Sequence, residues 1–403
     1  MDIGNTNVRI SQENTVNRYS FVLLLALVLT ATAEHAYSTV RRVNPDGTCT
    51  PIDGSTWCKG YRDLQSGIDD SSSGDEVWVK VGTYIPYDGC GGTCDEADHT
   101  ERSTTFTLKE GVAVYGGFVG TETSEQDRDP TNNETILDGD LNGDDDHTGS
   151  GNPEAPDGGG NNATLGNNKE NVYHVVSAVV DGADITDSTI LDGFIIQNGR
   201  AEPTSGNYHA DHVVGAGIRI IGDDTYRSSP QIKNCVIRWN WAREGAGAWI
   251  KNGSPRFIAD VEDFNFRIQY NAASLGGSAI YLSDCAGLLL EGYSIDVPLD
   301  IENNYCCESL EGCGGYLLNC SGAIYMNSNE NQVAGSNVCI VDNCSTSSGA
   351  GIYALSDSSL NWEQLYMITG NKLYDLYGED DMYACTFDEQ NTYGVFGINL
   401  SCD

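Results

Sequence analysis

Short runs of β-branched and aromatic residues, each followed by a turn residue, recur through the second half of the chain. One signature is an apolar run that ends in asparagine. It occurs at Phe194–Asn198, Val236–Asn240, Phe266–Asn271 and Ile340–Asn343, and more weakly at Asp300–Asn303 and Met367–Asn371. The other signature is a group of small residues before an apolar strand. It occurs at Gly215–Ile218, Gly245–Ala248, Gly276–Tyr281, Ser321–Tyr325 and Gly349–Tyr353.

The two signatures repeat at a period of roughly 30 residues, which is typical of a solenoid. Each repeat offers strands of four or five residues and contains no helical spacing of apolar positions. A unit of this kind cannot bury its own apolar face, but stacked units can share one continuous core. The sequence therefore predicts an all-β fold, a single-stranded right-handed parallel β-helix.

The recurring turn residues suit such a stack. Asparagine tolerates the left-handed backbone region, and its amide can form hydrogen bonds along the stack. Glycine permits close approach between the backbones of neighbouring coils.

The paired motifs resemble those of the chlamydial polymorphic outer membrane proteins and of right-handed β-helix proteins of the pectin-lyase-like class. The segments Tyr61–Gln65, Ser73–Val79, Gly82–Tyr84, Gly111–Phe118 and Ile136–Asp140 resemble the opening of secreted members of that class. The resemblance implies a fold and leaves the function open, since the superfamily holds enzymes, adhesins and passive surface proteins. The C-terminal barrel of the polymorphic proteins has no counterpart in this sequence.

These patterns predict five regions. Residues 1–33 are expected to be a signal peptide, 34–120 an N-terminal cap with the first coils, and 121–170 a coil with a long acidic loop. Residues 171–375 are expected to form regular repeats, and 376–403 a C-terminal cap.

The predicted signal peptide has Arg9 and Arg18 before an apolar run, Phe21 to Leu29, and then a small-residue site at Ala31–Ala33. An uncleaved anchor is the alternative, although the apolar run is shorter than the roughly 20 residues of a membrane span. We expect an extracellular protein, secreted or attached to the cell surface, with no further span.

The net charge of -38 excludes nucleic acid as a partner, because nucleic-acid binding needs a basic surface. The expected partner is a polysaccharide or a cell-surface component, and the expected state is a monomer. Fourteen cysteines fit an oxidising compartment, with disulfides rather than metal holding the loops. Cys235 and Cys339 lie in apolar runs and are predicted to be buried thiols.

An acidic run beginning at Asp138 matches the start of a calcium-binding loop, D-x-[DN]-x-[DN]-G. This spacing turns alternate oxygens towards one point, which suits calcium. The bidentate glutamate of an EF-hand is missing, and a plain solvated loop is the alternative. The predicted ligands are Asp138, Asp140, Asn142, Asp144 and Asp146.

Aromatic residues are predicted to line the outside of the stack, one per coil, as a ladder for sugar rings or as a structural stack. The candidates are Tyr281, Tyr325 and Tyr353, together with Trp239, Trp241 and Trp249. Alternation along the strand places Tyr281 outside if Ile280 points inside.

We expect a non-catalytic protein of adhesion or glycan contact. The alternative is a calcium-dependent polysaccharide lyase or a glycoside hydrolase, which needs a basic residue or clustered carboxylates in one groove. No spacing singles out a catalytic residue.

Overall fold

The structure is a computed structural model. It describes residues 38–86, 99–145, 170–201, 212–284, 286–294, 296–306, 323–326, 332–341, 343–345, 352–354, 359–369, 372–373 and 398–399. The predicted signal peptide and all but two residues of the predicted C-terminal cap lie outside these ranges. Contacts divide the chain into residues 1–38 and 39–403, and the fold below is that of the second unit.

Helix is confined to the first part of the described chain. Two short α-helices, α1 (Leu64–Asp69) and α2 (His99–Arg102), and two 3-10 turns, Trp57–Lys59 and Glu125–Asp127, precede the regular repeats. Asp63 caps α1 by accepting a hydrogen bond from the backbone N–H of Ser66.

Strands account for nearly all the remaining regular structure. In chain order they are β1 (Val40–Val43), β2 (Glu76–Lys80), β3 (Gly82–Tyr84), β4 (Phe106–Thr107), β5 (Ala113–Phe118), β6 (Thr135–Asp138), β7 (Val176–Val179), β8 (Ile190–Asp192), β9 (Ile195–Gln197), β10 (Arg200–Ala201), β11 (Ile218–Ile221), β12 (Gln231–Lys233), β13 (Val236–Arg238), β14 (Trp241–Glu244), β15 (Ala248–Lys251), β16 (Arg256–Ile258), β17 (Arg267–Gln269), β18 (Ala272–Gly276), β19 (Ile280–Ser283), β20 (Gly287–Glu291), β21 (Leu299–Glu302), β22 (Tyr305–Cys306), β23 (Ile324–Met326), β24 (Gln332–Val341), β25 (Cys344–Ser345), β26 (Ile352–Ala354), β27 (Ser359–Thr369), β28 (Lys372–Leu373) and β29 (Ile398–Asn399).

The strands stack as four faces of one solenoid. Face 1 is β1, β2, β5, β8, β12, β16, β20 and the first half of β24; face 2 is β3, β6, β9, β13, β17, β21 and the second half of β24. Face 3 is β10, β14, β18, β22, β25 and β28, and face 4 is β4, β7, β11, β15, β19, β23 and β26. Strand β27 follows β24 on both of the first two faces, and β29 pairs with it antiparallel.

All pairings within the four faces are parallel, so the chain passes through faces 1 to 4 and returns one coil further on. The predicted fold class, a single-stranded parallel β-helix, is confirmed. Among the described residues, no helix is long and apolar enough to cross a membrane.

The core is a set of aligned side-chain columns. One column on face 2 consists of Leu137, Ile196, Ile237, Ile268, Ile301 and Ile340, none of which has any exposed surface. Each such side chain gains about 1.5–3 kcal/mol by leaving water. This burial requires that every coil keep the same register, because a shift by one residue would turn the column outwards.

A ladder of buried asparagines fixes the corner between faces 2 and 3. Its members, one per coil, are Asn240, Asn271, Asn304 and Asn343, all with no exposed surface. The Oδ1 atom of Asn271 accepts from the backbone N–H of Asn240 at 3.1 Å and from its Nδ2 at 3.0 Å. Asn304 Oδ1 accepts the same two hydrogen bonds from Asn271, and Asn343 Oδ1 accepts them from Asn304.

Two adjacent positions at this corner have different roles: one holds the ladder asparagine, and the other has a left-handed backbone. The sequence signature, in which each run ends in asparagine, treated the two positions as one. Positive φ falls one position earlier, at Asn198, Trp239, Tyr270 and Asn303 (φ 62°, 57°, 56° and 53°). Asn198 and Asn303 therefore do not align with Asn240, because two adjacent positions at this corner both favour asparagine, for different reasons.

The small residues of the second signature make the turn into face 4. Three of these groups contain a left-handed glycine, Gly215, Gly245 and Gly277, with φ of 68°, 62° and 61°. Gly217 meets the next coil so closely that a Cβ there would lie 2.5 Å from the carbonyl oxygen of Gly247. The predicted close approach at glycine is therefore confirmed.

The edge strand β1 is covered by the segment that follows it. The backbone N–H of Arg42 donates to the carbonyl of Gly54, and the backbone N–H of Tyr61 donates to the carbonyl of Arg42. A disulfide between Cys49 and Cys58 closes this segment. Backbone groups of β1 are thereby satisfied, which protects an exposed edge from pairing with another chain.

We expect Asn271→Ala to lower the free energy of unfolding by about 2–4 kcal/mol, because two buried donors of Asn240 lose their acceptor. Asn303→Gly is the matched control one coil further on, since glycine also adopts positive φ; its effect should stay within about 0.5 kcal/mol. Urea denaturation followed by far-UV circular dichroism measures both. Equal losses in the two variants would contradict a stabilising role for the ladder.

Candidate functional site

An acidic turn follows β6 at the corner between faces 2 and 3. Its first carboxylate, Asp138, is held by the next coil: Gln197 Nε2 donates to Oδ2 at 2.9 Å and Asn198 Nδ2 donates to Oδ1 at 2.8 Å. The backbone N–H of Asp140 also donates to Asp138 Oδ1. Burial raises the pKa of Asp138, and these hydrogen bonds act in the opposite direction.

Three carboxylates converge beside this turn, and we call Asp140, Asp144 and Glu170 the carboxylate triad. One oxygen of each lies within 4.8 Å of the other two. Asp140 is 4% exposed and Glu170 is 5% exposed, whereas Asp144 is open to solvent. The space between them is therefore accessible from one side.

Crowding of negative charge is visible in two pKa values. Burial, followed by the carboxylates of Asp145, Asp140 and Asp144, raises the pKa of Glu170 to about 7. Burial, followed by Asp140, Asp138 and Asp144, also raises the pKa of Asp145 to about 7, although the amide of Asn171 donates to it at 2.8 Å.

The predicted calcium ligands are only partly brought together. Asp140 and Asp144 belong to the triad, Asp138 is occupied by Gln197 and Asn198, Asn142 is partly exposed, and Asp146 lies outside the described residues. Sequence spacing missed Glu170, because it is remote from the acidic run and the motif is defined within one local loop. Binding of a cation at this turn therefore stays a prediction, and the residues that the structure brings together for it are Asp140, Asp144 and Glu170.

A polar row runs along the outside of face 2. Gln197 donates to Asp138, and Arg238 Nε donates to Gln197 Oε1 at 3.0 Å. In the following coils the same position is occupied by Gln269 and Glu302. The row therefore presents carboxylate, amide and guanidinium groups in fixed order.

Two partly exposed aromatic residues stand beside this row, and we call Trp239 and Tyr270 the aromatic corner. Both have positive φ, which is rare for bulky side chains. The guanidinium carbon of Arg238 lies 4.0 Å from the centroid of the Trp239 ring. Arg238 thus orients the indole next to the polar row.

The predicted tyrosine ladder lies on face 4 in the expected register. Tyr281 pairs with Tyr325 and Tyr325 with Tyr353. Ile280 points into the core, and the rings of Tyr281 and Tyr325 stack outside it at 4.9 Å and 10°. Tyr281 is nevertheless only 4% exposed, so its ring does not face solvent. The side chain of Tyr353 lies outside the described part of the structure.

Trp241 and the two cysteines of the apolar runs are buried. Trp241 is 7% exposed and lies under the guanidinium of Arg200, 5.4 Å from its ring centroid, so it is a structural residue. Cys235 and Cys339 are buried free thiols, as predicted.

The fold defines the protein as a parallel β-helix solenoid with an acidic cluster and an aromatic corner on its outside. Comparison of the chain with protein-family models, with curated proteins and with solved structures finds no match.

The pH dependence of stability should report on Asp300, on the outside of face 2. Burial, then Glu302, raises its pKa to about 6, while Arg267 lowers it. A carboxyl group with a raised folded-state pKa stabilises the fold when protonated, so its contribution is complete below its unfolded value near 4 and is lost as pH rises through 6.

We therefore expect Asp300→Asn to become more stable relative to wild type as pH rises from 4 to 7.5. Because Asp300 is partly exposed and screened by solvent, the change should be about 1 kcal/mol. Denaturant melts across that pH range measure it, with exposed Asp296→Asn as the control. A difference between wild type and Asp300→Asn that stays constant with pH would refute the assignment.

Proposed function

We propose that this protein is a secreted or cell-surface β-helix that acts without catalysis and contacts a polysaccharide or another cell-surface glycan. The contact surface is the aromatic corner with the polar row beside it. The disulfide between Cys49 and Cys58 supports an oxidising, extracellular location. Kinship with the pectin-lyase-like class belongs to this proposal and is supported by the repeat motifs.

The observation that carries the proposal is the backbone of Trp239 and Tyr270. A bulky residue at positive φ costs roughly 1–3 kcal/mol, and such residues cluster at functional sites. The neighbouring coils place Asn198 and Asn303 at the same position, where asparagine is better tolerated. Aromatic rings at this strained position support the proposal that they contact a ligand outside the molecule.

The chemistry of this surface suits a glycan. A sugar ring offers an apolar face and a rim of hydroxyls. Indole and phenol rings match the apolar face, and the partly exposed groups of Arg238 and Glu302 can donate to or accept from hydroxyls. The stacked tyrosines of face 4 suit this role less well, because Tyr281 and Tyr325 cover each other's ring faces.

A glycoside hydrolase or a polysaccharide lyase is the second proposal. It is favoured by Asp145 and Glu170, whose pKa values of about 7 suit proton transfer at neutral pH. It is the weaker proposal, because Glu170 is 5% exposed, which leaves little of its carboxylate open to a substrate.

The test is retention of the full chain on a panel of acidic and neutral polysaccharides. Trp239→Asn and Tyr270→Asn place at the corner the residue that the adjacent coils already use. Relief of backbone strain should therefore offset the lost ring contacts, and the free energy of unfolding should fall by no more than about 1 kcal/mol. We expect at least tenfold weaker binding in the double variant. Tyr325→Phe, on face 4, is the control that should bind as wild type.

Three outcomes of the binding test would count against this proposal. Unchanged glycan binding in the double variant would remove the aromatic corner as the contact surface, and retention of no glycan by wild type would contradict the proposal. Unsaturated products or new reducing ends would establish the enzyme instead.

A further inference from the structure

The carboxylate triad is arranged as a cation site. Its members come from two stretches of chain: Asp140 and Asp144 follow β6, and Glu170 precedes β7. One oxygen of each lies within 4.8 Å of the others, and two of the three residues are almost completely buried. Three like charges this close repel strongly when solvent is excluded.

Glu170 supplies an independent observation. Its Oε1 atom is buried and accepts no hydrogen bond, although the residue is only 5% exposed. A buried acceptor without a donor costs about 1–3 kcal/mol, and more when it is charged. The oxygen is therefore placed where a positive ligand would satisfy it.

The described residues supply the triad with hydrogen bonds and with no paired cation. Asp140 accepts backbone N–H groups, those of Asn142 and Gly143 at Oδ1 and that of Asp145 at Oδ2. Within the described part of the chain, no lysine or arginine forms an ion pair with any of the three carboxylates. Other ion pairs of the described chain do satisfy buried carboxylates, as Arg128 does for Asp192 at 2.8 Å.

We propose that Asp140, Asp144 and Glu170 bind a calcium ion. The donors are oxygen only, which suits a hard cation. Three carboxylates can supply up to six oxygens if each binds through both, and water can reach the ion past the exposed Asp144. The ion would satisfy Glu170 Oε1 and offset the repulsion among the carboxylates.

The bound ion fastens the acidic turn to the start of the following segment. Asp144 and Glu170 are distant in sequence, so an ion held by both joins two remote stretches of chain. Asn171, next to Glu170, donates to the carboxylate of Asp145 and to the carbonyl of Asn198 in the next coil, both at 2.8 Å. The site thus connects the turn to the stack.

The test is a calcium titration of the full chain by isothermal calorimetry and by thermal melting, against chelator and against magnesium. Salt near 0.15 M screens diffuse binding to the acidic surface. We expect calcium to raise the melting temperature of wild type. Glu170→Gln and Asp144→Asn should each weaken calcium binding at least tenfold. Exposed Asp224→Asn, which removes the same charge elsewhere, should bind as wild type.

The variants also separate loss of the site from loss of the fold. Glu170→Gln removes a buried uncompensated charge, so in chelator it should melt no lower than wild type, and Asp144 is exposed and tolerates substitution. Absence of a calcium-dependent shift in wild type, or wild-type affinity in both triad variants, would overturn the proposal. Magnesium binding as tight as that of calcium would overturn the choice of ion.

Discussion

Register between coils is the constraint on which the rest of this structure depends. Each coil pairs in parallel with the next, and the buried amides of Asn240, Asn271, Asn304 and Asn343 repeat at the same interval as the backbone bonds. The isoleucine column of face 2 lies three residues before the asparagine in each coil and has the same period. A slip of one residue would turn the isoleucines outwards and leave the amides without partners, so apolar burial and polar satisfaction specify the same alignment.

Fixed register also arranges the outer side chains into columns. Asp138, Gln197, Arg238, Gln269 and Glu302 occupy one position in successive coils, although nothing in the core requires their identities. The acidic turn has a different origin, because Asp140 and Asp144 follow β6 at a corner and meet Glu170, which is remote in sequence. A β-helix therefore offers two kinds of site: columns on a regular face, and clusters at a corner formed by residues distant in sequence.

The sequence predicted the fold because its two signatures report the core and the turns directly. Ile237 and Ile268 recur with their turn residues, and left-handed glycines such as Gly245 mark the entry to face 4. It could not separate Asn303 from Asn304, because both positions favour asparagine and only hydrogen bonding distinguishes them. Glu170 was missed for a related reason: it joins Asp140 through tertiary contact, which a local spacing motif does not represent. The sequence also could not predict that Tyr281 is buried. Alternation along a strand gives the side on which a residue lies, but it does not show which residues cover that side.

The two groups of aromatic residues show how outer aromatics of a solenoid can be distinguished by backbone and by contact. Tyr281 and Tyr325 lie on regular strands and stack on each other, so their ring faces contribute to cohesion between coils. Trp239 and Tyr270 occupy a corner where the backbone disfavours large side chains. Stacking between coils requires only a regular strand position, and asparagine fills the same corner elsewhere at lower cost. The proposed glycan contact would account for the rings at the corner, whereas stacking between coils accounts for the rings on face 4.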